Sequence, residues 1–423
     1  MFIVYDLIFL IFALIYLPYV CLRGKWHKGF MMRMGFWPRS SKEACLKKKN
    51  IWVHAVSVGE VGVVLGLIEK MRQSFNGYGF VVSTVTPTGY ALARSRLARE
   101  DVVIYAPLDF SPVIRAYVEV IRPQVYLSAE TEIWPNLFYA LHKRGVPVIL
   151  VNGRISSRAY RRYHRVRGLL KIVLGYVQVF CMQSPSDADK VRALGAMPGR
   201  LRVVGNMKFD LHQDAREILN DFGWEERGLV WVAGSTHPGE EEILLDIFRD
   251  LRNEFMGLQL VLAPRHIERC EVVAEAIRRS GFRPRFFSRF LEEGGKATQG
   301  DVILVDTIGH LKEIYRFAHI VFIGKSLVVR GGQNIIEPAS LGKPICIGPH
   351  TENFKNIMDI FREAGAVVQV TDAEDLRVQM RLLLRDRDKA VSLGRAAQNV
   401  VEKNRGATER TLKILNDLIF PPA

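Results

Sequence analysis

Two short apolar runs, IWVHA at residues 51–55 and YGFVVST at residues 78–84, flank a longer stretch that opens with SVGEVG at residue 57. The short runs are bounded by turn residues and have the length and the β-branched and aromatic content of strands. The stretch between them has the length of a helix. Strand, helix and strand in this order predict two parallel strands joined by a crossover helix.

The same alternation continues along the chain in two series. After residues 201–210 comes a polar, helix-like stretch, and the alternation then begins again with LVWVAGS at residues 229–235. The 423 residues also suit two domains better than one. We therefore predict an α/β protein with two Rossmann-like domains and a ligand cleft between them. The predicted segments are a domain at 51–210, a linker at 211–228, a domain at 229–403 and a C-terminal helix at 404–423.

The first 22 residues are almost wholly apolar, and this is about the length of helix that crosses a bilayer. Asp6 and Pro18 interrupt the run. Residues 23–50 form a basic juxtamembrane region that includes Arg23 and Lys25, which favours a cytoplasmic location for the rest of the chain. We predict a membrane anchor at 1–22. A buried or interfacial helix, with Asp6 at the headgroup level, is the alternative.

The net charge of +15 predicts an acidic partner, which could be anionic lipid, a phosphorylated substrate or nucleic acid. Nucleic acid is the least favoured, because no zinc finger, RNP motif or long basic helix is present. The five cysteines are scattered, without the spacing of a zinc site or a disulfide framework. The chain also lacks the GK[ST] and GxGxxG motifs that would indicate ATP or a dinucleotide. We expect neither a metal nor a cofactor.

Four charged residues follow predicted strands in the first domain. Glu60 lies at the start of a helix, where it is either a general base or a carboxylate that complements the helix dipole. Glu130 and Glu132 follow the strand PQVYLS, and the sequence leaves open which of them faces the cleft. Lys208 follows the last strand and either meets a phosphate or carboxylate or is solvated.

In the second domain, VAGSTHPGEE predicts a strand, a turn and a helix beginning near Pro238. The amides of that helix, with Ser235, Thr236 and His237, could bind an anion, although Ser or Thr is also an ordinary helix cap. Arg265, with His266, ends the next predicted strand, and an arginine there is suited to grip phosphate.

The stretch VRGGQNIIEPASLGKPICIG at residues 329–348 is the most specific in the chain. Gly331 and Gly332 allow close approach of the backbone, and we expect a helix to begin at Gln333 and Asn334. Glu337 follows one turn later and could accept both hydroxyls of a ribose. A glycine loop before an ordinary helix is the alternative.

The motifs HAVSVGE, ETEIWPN, VNGRIS, GNMKFD, APRHIER and GGQNIIEPASLGKP together closely resemble the 3-deoxy-D-manno-octulosonic acid (Kdo) transferases of Gram-negative bacteria. The resemblance covers essentially the whole chain. It implies a GT-B fold, CMP-Kdo as donor and a lipid A precursor (lipid IVA) as acceptor. It also implies a place in lipopolysaccharide core biosynthesis, at the cytoplasmic face of the inner membrane.

The resemblance also implies roles for individual residues. Glu60 matches the general base of an inverting, metal-independent transfer, and Glu130 and Lys208 match positions that stabilise the transition state. The positions that match contacts to CMP are Pro264, Arg265, Ile308, Gly309, His310, Asn334, Ile335, Ile336 and Glu337. Gln333 and His310 depart from the family pattern, which commonly has His and Glu at these two places.

Two other functions compete with this interpretation. Another GT-B transferase with a UDP-sugar donor would have a similar anion site and a similar ribose-binding glutamate. A non-enzymatic membrane adaptor with a decayed transferase fold is less consistent with Glu60, Arg265, Asn334 and Glu337 all being present. The number of Kdo residues transferred cannot be derived from these motifs.

Overall fold

The computed structural model describes residues 2–22, 27–210, 228–293, 298 and 300–419. The chain divides into two compact units. Unit 1 comprises Met1–Leu211 and Arg405–Ala423, and unit 2 comprises His212–Asn404. Arg23 and Lys25, most of the predicted linker and the residues after Ile419 lie outside the described residues.

Unit 1 is a parallel sheet covered by helices on both faces. Its described strands are β1 (Lys49–His54), β2 (Tyr78–Thr84), β3 (Val102–Tyr105), β4 (Pro123–Ala129), β5 (Val148–Gly153), β6 (Val177–Met182) and β7 (Leu201–Val203). Its described helices are α1 (Phe2–Leu22), α2 (Phe30–Arg33), α3 (Arg39–Leu46), α4 (Val58–Ser74), α5 (Pro87–Arg96), α6 (Ser111–Ile121), α7 (Pro135–Lys143), α8 (Ser157–Arg165), α9 (Arg167–Leu174), α10 (Pro185–Leu194) and α19 (Ala407–Ile419).

The strand order of unit 1 is β3-β2-β1-β4-β5-β6-β7, so the chain reverses direction across the sheet between β1 and β4. Trp52 of β1 lies opposite Val81 on one side and Tyr126 on the other. Two hydrophobic clusters cover the two faces of the sheet. Strands buried on both faces have continuous apolar sequences, which is why these runs are recognisable in the sequence. A reversal in strand order is where α/β folds bind ligands, at the carboxyl ends of the strands.

Unit 2 repeats this architecture. Its described strands are β8 (Val230–Thr236), β9 (Gln259–Pro264), β10 (Arg283–Phe286), β11 (Asp301–Leu304), β12 (Ile320–Ile323), β13 (Ile345–Ile347) and β14 (Val368–Gln369). Its described helices are α11 (Glu240–Glu254), α12 (Cys270–Arg279), α13 (Phe287–Glu293), α14 (Leu311–Phe317), α15 (Ile336–Ser340), α16 (Lys355–Glu363), α17 (Ala373–Arg385) and α18 (Arg387–Asn404). The parallel order is β10-β11-β9-β8-β12-β13-β14, with the reversal between β8 and β12. The prediction of two α/β, Rossmann-like domains is confirmed.

The last described helix, α19, returns to unit 1 and packs on α4. Leu412 and Leu415 enter the hydrophobic cluster on that face of the sheet. Asp210 fixes the beginning of the helix, because its carboxylate accepts hydrogen bonds from the amides of Gly406 at 2.7 Å and Thr408 at 2.6 Å. The C-terminal helix is therefore part of the core of unit 1.

The first helix, α1, lies against unit 1 through a polar contact. One oxygen of Asp6 accepts hydrogen bonds from Asn136 Nδ2 at 2.7 Å and from the amide of Ser111 at 3.1 Å. Phe9 stacks on Phe110. Asp6 is thus bound by protein groups of unit 1. Other apolar side chains of α1 are exposed, namely Val4, Leu7, Ile8, Leu10, Ile11, Phe12, Leu14 and Ile15.

Among the described residues, no helix combines the length and the apolar character that crossing a bilayer requires.

Candidate active site

Glu60 is held at the carboxyl end of β1 by a capping box. Ser57 caps α4 by accepting a hydrogen bond from the amide of Glu60, and its hydroxyl donates to Glu60 Oε1 at 2.8 Å. The amide of Val56 donates to Glu60 Oε2 at 2.8 Å. Both carboxylate oxygens therefore have one partner each, and each keeps further acceptor capacity.

The surroundings of Glu60 favour its protonated form. Burial raises the pKa of Glu60, the hydrogen bonds from Val56 and Ser57 oppose this shift, and the charge of Glu130 adds to it. A carboxylate with a raised pKa is a stronger base than one in water. Both interpretations of Glu60 thus have structural support, because it closes a helix cap and has the electrostatic environment of a general base.

Glu130 and Lys208 form an ion pair between segments far apart in sequence. Lys208 Nζ lies 3.3 Å from Glu130 Oε1, and both side chains are partly buried. Glu130 has a left-handed backbone with φ of 55°, and its amide donates to the carbonyl oxygen of Val151. Non-glycine residues rarely adopt this conformation, and those that do cluster at functional sites.

Glu132 is the third carboxylate in this region. Burial raises the pKa of Glu132 to about 7, and the charges of Glu60 and Glu130 contribute to the shift. Its carbonyl oxygen accepts a hydrogen bond from Ser128 Oγ at 2.9 Å, which fixes the loop after β4. The structure thus brings the three glutamates into electrostatic contact, with Lys208 paired to one of them.

Lys208 is positioned by two asparagines that the sequence did not single out. Asn206 Oδ1 accepts a hydrogen bond from the amide of Lys208, and Asn152 Oδ1 accepts one from the amide of Met207, both at 3.0 Å. Asn152 is buried and has a left-handed φ of 53°. The motif VNGRIS contains Asn152, so the motif itself was the available signal.

In unit 2, the loop after β8 is organised around a buried carboxylate. Glu240 is 0% exposed and accepts hydrogen bonds from four amides, those of His237, Lys325, Ser326 and Leu327. Helix α11 begins at Glu240, two residues later than the predicted start near Pro238. Of the four donors to Glu240, only His237 belongs to this loop, so Glu240 connects the loop after β8 to residues 325–327.

Two of the three predicted anion-binding side chains of this loop, Thr236 and His237, have partners within the loop and the helix after it. Thr236 donates to Glu241 Oε1 at 2.9 Å, and Glu241 is also held by a bidentate ion pair with Arg269. His237 Nδ1 lies 3.1 Å from the carbonyl oxygen of Ser235, and Ser235 has a left-handed φ of 57°. Burial lowers the pKa of His237, which favours a neutral ring.

The predicted ribose site is assembled around Glu337. Asn334 Nδ2 donates to Glu337 Oε1 at 3.2 Å, and Asn334 Oδ1 accepts a hydrogen bond from the amide of Ile336. Burial raises the pKa of Glu337, while the hydrogen bond from Asn334 and the charges of Lys312 and Arg265 oppose the shift. Asn334, Arg265 and Glu337 are therefore close together. Lys312 was not singled out from the sequence.

Helix α15 begins at Ile336, later than the expected start at Gln333 and Asn334, and it has only five residues. Gly331 and Gly332 both have positive φ, in agreement with the close backbone approach expected of them. Gly331 has a φ of 135°, a backbone conformation that residues with a side chain rarely adopt, so glycine is favoured there. Gln333 is partly buried in this loop.

The remaining predicted contacts lie at neighbouring strand ends of unit 2. Pro264 ends β9 and is buried, and Arg265 follows it with an exposed side chain. Ile308 is 80% exposed and Gly309 has a positive φ, so this turn projects from the surface of the unit. His310 Nδ1 lies 2.9 Å from Thr307 Oγ1. Ile335 and Ile336 are buried, so their backbone is the part available to a ligand.

The chemistry of the two units differs. Unit 1 presents three interacting carboxylates and a lysine, which suits proton transfer and charge stabilisation. Unit 2 presents Arg265 beside an Asn–Glu pair, which suits a phosphate next to a sugar diol. Within the described residues, no group of His, Cys, Asp and Glu is arranged to hold a metal ion.

Comparisons with known proteins agree on one family. A family model described as 3-deoxy-D-manno-octulosonic-acid transferase (kdotransferase) matches residues 28–211. A 3-deoxy-D-manno-octulosonic acid transferase of Haemophilus influenzae is 33% identical over 390 residues, which are 90% of each chain. The transferase of the same name from Aquifex aeolicus is 29% identical over 349 residues, covering 82% of this chain and 89% of its own.

The fold is shared more widely. The structure of a UDP-GlcNAc 2-epimerase from Neisseria meningitidis, bound to UDP-GlcNAc, superposes with a TM-score of 0.59 at 14% identity. The match covers 87% of this chain and 99% of the epimerase. At this level of identity the likeness concerns the fold alone.

Proposed function

Because the chain belongs to the 3-deoxy-D-manno-octulosonic acid transferase family and is therefore a glycosyltransferase, we propose that it transfers Kdo from CMP-Kdo to a lipid A precursor such as lipid IVA. The observation that carries the proposal is the cluster of Glu60, Glu130 and Glu132 with Lys208 at the carboxyl edge of unit 1. We further propose that the two units belong to a GT-B fold, as the family resemblance implies.

Glu60 is the general base of the proposed reaction. Its raised pKa makes the carboxylate a better proton acceptor, and its hydrogen bonds from Val56 and Ser57 fix its position. Glu60 takes the proton of an acceptor hydroxyl while that oxygen forms a bond to the anomeric carbon of Kdo. The bond from that carbon to the phosphate oxygen breaks on the opposite side. CMP leaves with the electron pair, and the anomeric configuration is inverted.

Positive charge stabilises the departing phosphate in this scheme. Arg265 is exposed next to the Asn334–Glu337 pair, where it can donate two parallel hydrogen bonds to phosphate oxygens. Glu337 accepts the ribose hydroxyls. Lys208, held by Glu130, supplies a second cation from unit 1, so the transfer needs no metal ion.

The membrane part of the proposal rests on α1. Its exposed apolar side chains, together with its contact to unit 1 through Asp6, favour a helix lying in the membrane surface with the unit attached. Both units then lie at the cytoplasmic face of the inner membrane, next to a lipid acceptor.

The test measures transfer to a tetraacylated lipid A precursor in detergent micelles, with CMP-Kdo or UDP-sugars as donor and with or without EDTA. Product mass gives the sugar added, and NMR of the new linkage gives its configuration. Glu60→Ala is compared with Glu69→Ala, because Glu69 is an exposed carboxylate on the same helix. We expect transfer only from CMP-Kdo, insensitivity to EDTA and a loss of about a thousandfold in kcat for Glu60→Ala alone.

Transfer from a UDP-sugar would replace the donor and leave the fold intact. Full activity of Glu60→Ala would show that Glu60 is not the general base. Absence of transfer with every donor, from protein whose unfolding is cooperative, would favour the adaptor function over an enzyme.

A further inference from the structure

The chain contains a long segment without acidic residues next to the candidate active site. Between Glu132 and Asp187 there are nine lysines and arginines and no Asp or Glu. Most of these cations are concentrated on α8 and α9. A charge imbalance of this size over 54 residues attracts a polyanionic surface.

The arginines of α8 share one face of the helix. Arg158, Arg161, Arg162 and Arg165 have the i, i+3, i+4, i+7 spacing of a helical stripe, and all four are exposed. The opposite side of α8, with Tyr160 and Tyr163, packs on the core of unit 1. Among the described residues, none of the four arginines forms an ion pair with a carboxylate, so their charge is available to a partner.

Apolar side chains continue this surface on α9. Val166 is 51% exposed, Leu169 42% and Ile172 49%, and they recur at every third residue beside Arg167 and Lys171. Cations together with aliphatic side chains match the boundary of a bilayer, where phosphate headgroups lie above acyl chains. A nucleic acid would leave the three exposed aliphatic side chains without an apolar partner. An anionic membrane is therefore favoured over a nucleic acid.

The location of the surface supports the same occupant. Tyr163 of α8 is close enough to Glu132 for the two groups to interact electrostatically. Helix α9 packs on α7, and α7 carries Asn136, the residue that binds Asp6 of α1. Two elements with exposed apolar side chains, α1 and α9, thus both contact α7, the helix that follows the Glu132 loop.

We propose that α8 and α9 are a second membrane contact, which binds the headgroups of anionic phospholipids and seats unit 1 on the bilayer beside its active site. The proposal rests on the proposed function in so far as that function places the acceptor in a membrane. The surface delivers the enzyme to its lipid substrate and takes no part in the transfer itself.

Vesicle flotation of the full chain tests this surface. Binding to vesicles of phosphatidylcholine alone is compared with binding to vesicles that also contain phosphatidylglycerol. The variant R158Q/R161Q/R165Q removes three charges and keeps residues that suit a helix. The matched control R94Q/R96Q/R99Q removes three exposed arginines from the α5 region of the same unit. A third variant, R158K/R161K/R165K, keeps the charge.

We expect the α8 glutamine variant to lose roughly a hundredfold in partition onto anionic vesicles, from about 1 kcal/mol per charge. This variant should bind neutral vesicles as well as the wild type does. Its rate of transfer in nonionic detergent should also equal that of the wild type. The lysine variant and the α5 control should keep most of the anionic binding. Added salt should weaken the binding of the wild type.

Three results would overturn the proposal. If the α8 glutamine variant binds anionic vesicles as well as the wild type, α8 is not a membrane contact. If the α5 control loses as much binding as the α8 variant, the binding depends on net charge and not on this surface. Loss of transfer in detergent, with the fold intact, assigns the arginines to the acceptor itself. Because vesicle binding is measured without a donor, it remains informative even if the wild type transfers no Kdo.

Discussion

Glu60 in unit 1 and Glu240 in unit 2 occupy related places, since each lies in the first turn of the helix that follows the first strand of its unit, beside the reversal in strand order. Their environments differ. Glu240 is fully buried and accepts four backbone hydrogen bonds, so it ties together two loops of unit 2. Glu60 is partly exposed, accepts one hydrogen bond from a backbone amide and one from a hydroxyl, and is close to the negative charge of Glu130.

The number of donors around each carboxylate therefore supports a structural role for Glu240 and leaves Glu60 available for the chemical role proposed for it. A carboxylate with four fixed backbone donors has its acceptor capacity used in holding two loops together. Glu60 has fewer donors and a like charge nearby, so the protonated form is within reach during a reaction. Position at the end of a strand is shared by both residues and does not distinguish them.

The largest effect on stability is expected from Glu240→Ala. The substitution leaves four amides without their acceptor, at about 1 kcal/mol each, so we expect a loss of about 4 kcal/mol. Glu60→Ala should cost only about 1 kcal/mol, as the loss of a helix cap does. Urea unfolding of both variants measures the difference. Equal losses would contradict the division into structural and chemical carboxylates.

A gain of stability is expected from Glu132→Gln at alkaline pH. The pKa of Glu132 is raised from its ordinary value of 4.5 to about 7, because burial favours the protonated carboxyl. The folded protein has the full stability that comes from this group at pH values below 4.5. That stability is lost as pH rises through 7. Glutamine does not ionise, so the variant keeps this stability at high pH. Its free energy of unfolding should be larger than that of the wild type by up to about 3 kcal/mol at pH 8 and equal to it at pH 4. Thermal unfolding at the two pH values measures this. A pH-independent difference would contradict the prediction.

Asn334→Ala should weaken donor binding about tenfold, or about 1.4 kcal/mol, because the partner that orients Glu337 is lost. The effect should appear in KM for the CMP-sugar, with kcat nearly unchanged. Asn404→Ala is a control, since among the described residues the Asn404 side chain of unit 2 donates to the carbonyl oxygen of Val400 and to no part of the donor site. Isothermal titration with CMP checks the result independently of catalysis, and unchanged CMP affinity would exclude Asn334 from the donor site.

The smallest effect is a displacement of the pH profile. Transfer requires ionised Glu60, so kcat/KM should fall as pH falls through its pKa, which is raised above 4.5. Because the charge of Glu130 raises that pKa, Glu130→Gln should move the acidic limb to lower pH. Glu69→Gln, on the exposed side of α4, should leave it in place. If the acidic limb moves in neither variant, the charge of Glu130 does not influence the pKa of Glu60.

The sheets and the order of the motifs could be predicted from local sequence. Runs such as IWVHA and LVWVAGS are buried on both faces, so their apolar pattern is continuous and their length is that of a strand. The beginnings of α11 and α15 were predicted too early. Each helix is preceded by a local turn, formed by Gly239 with a φ of 88° and by Asn334, whose Oδ1 accepts a hydrogen bond from the amide of Ile336.

The pairing of side chains within the site could not be predicted in the same way. Lys208 and Glu130 are 78 residues apart, and their contact requires the left-handed backbone at Glu130 as well as the packing of β4 beside β5. Glu240 was counted as part of a motif, but its role depends on three amides near residue 326. The strand ends that carry functional residues follow from topology, whereas the partner of each residue follows from tertiary contacts.

The docking of α19 on α4 has a consequence for biosynthesis. Residues 212–404 are contiguous, so unit 2 can fold as soon as its own sequence has left the ribosome. Unit 1 lacks part of its core until Leu412 and Leu415 have been made. The half of the protein that begins first is therefore completed last, and its unfinished apolar face is exposed throughout the synthesis of the other half.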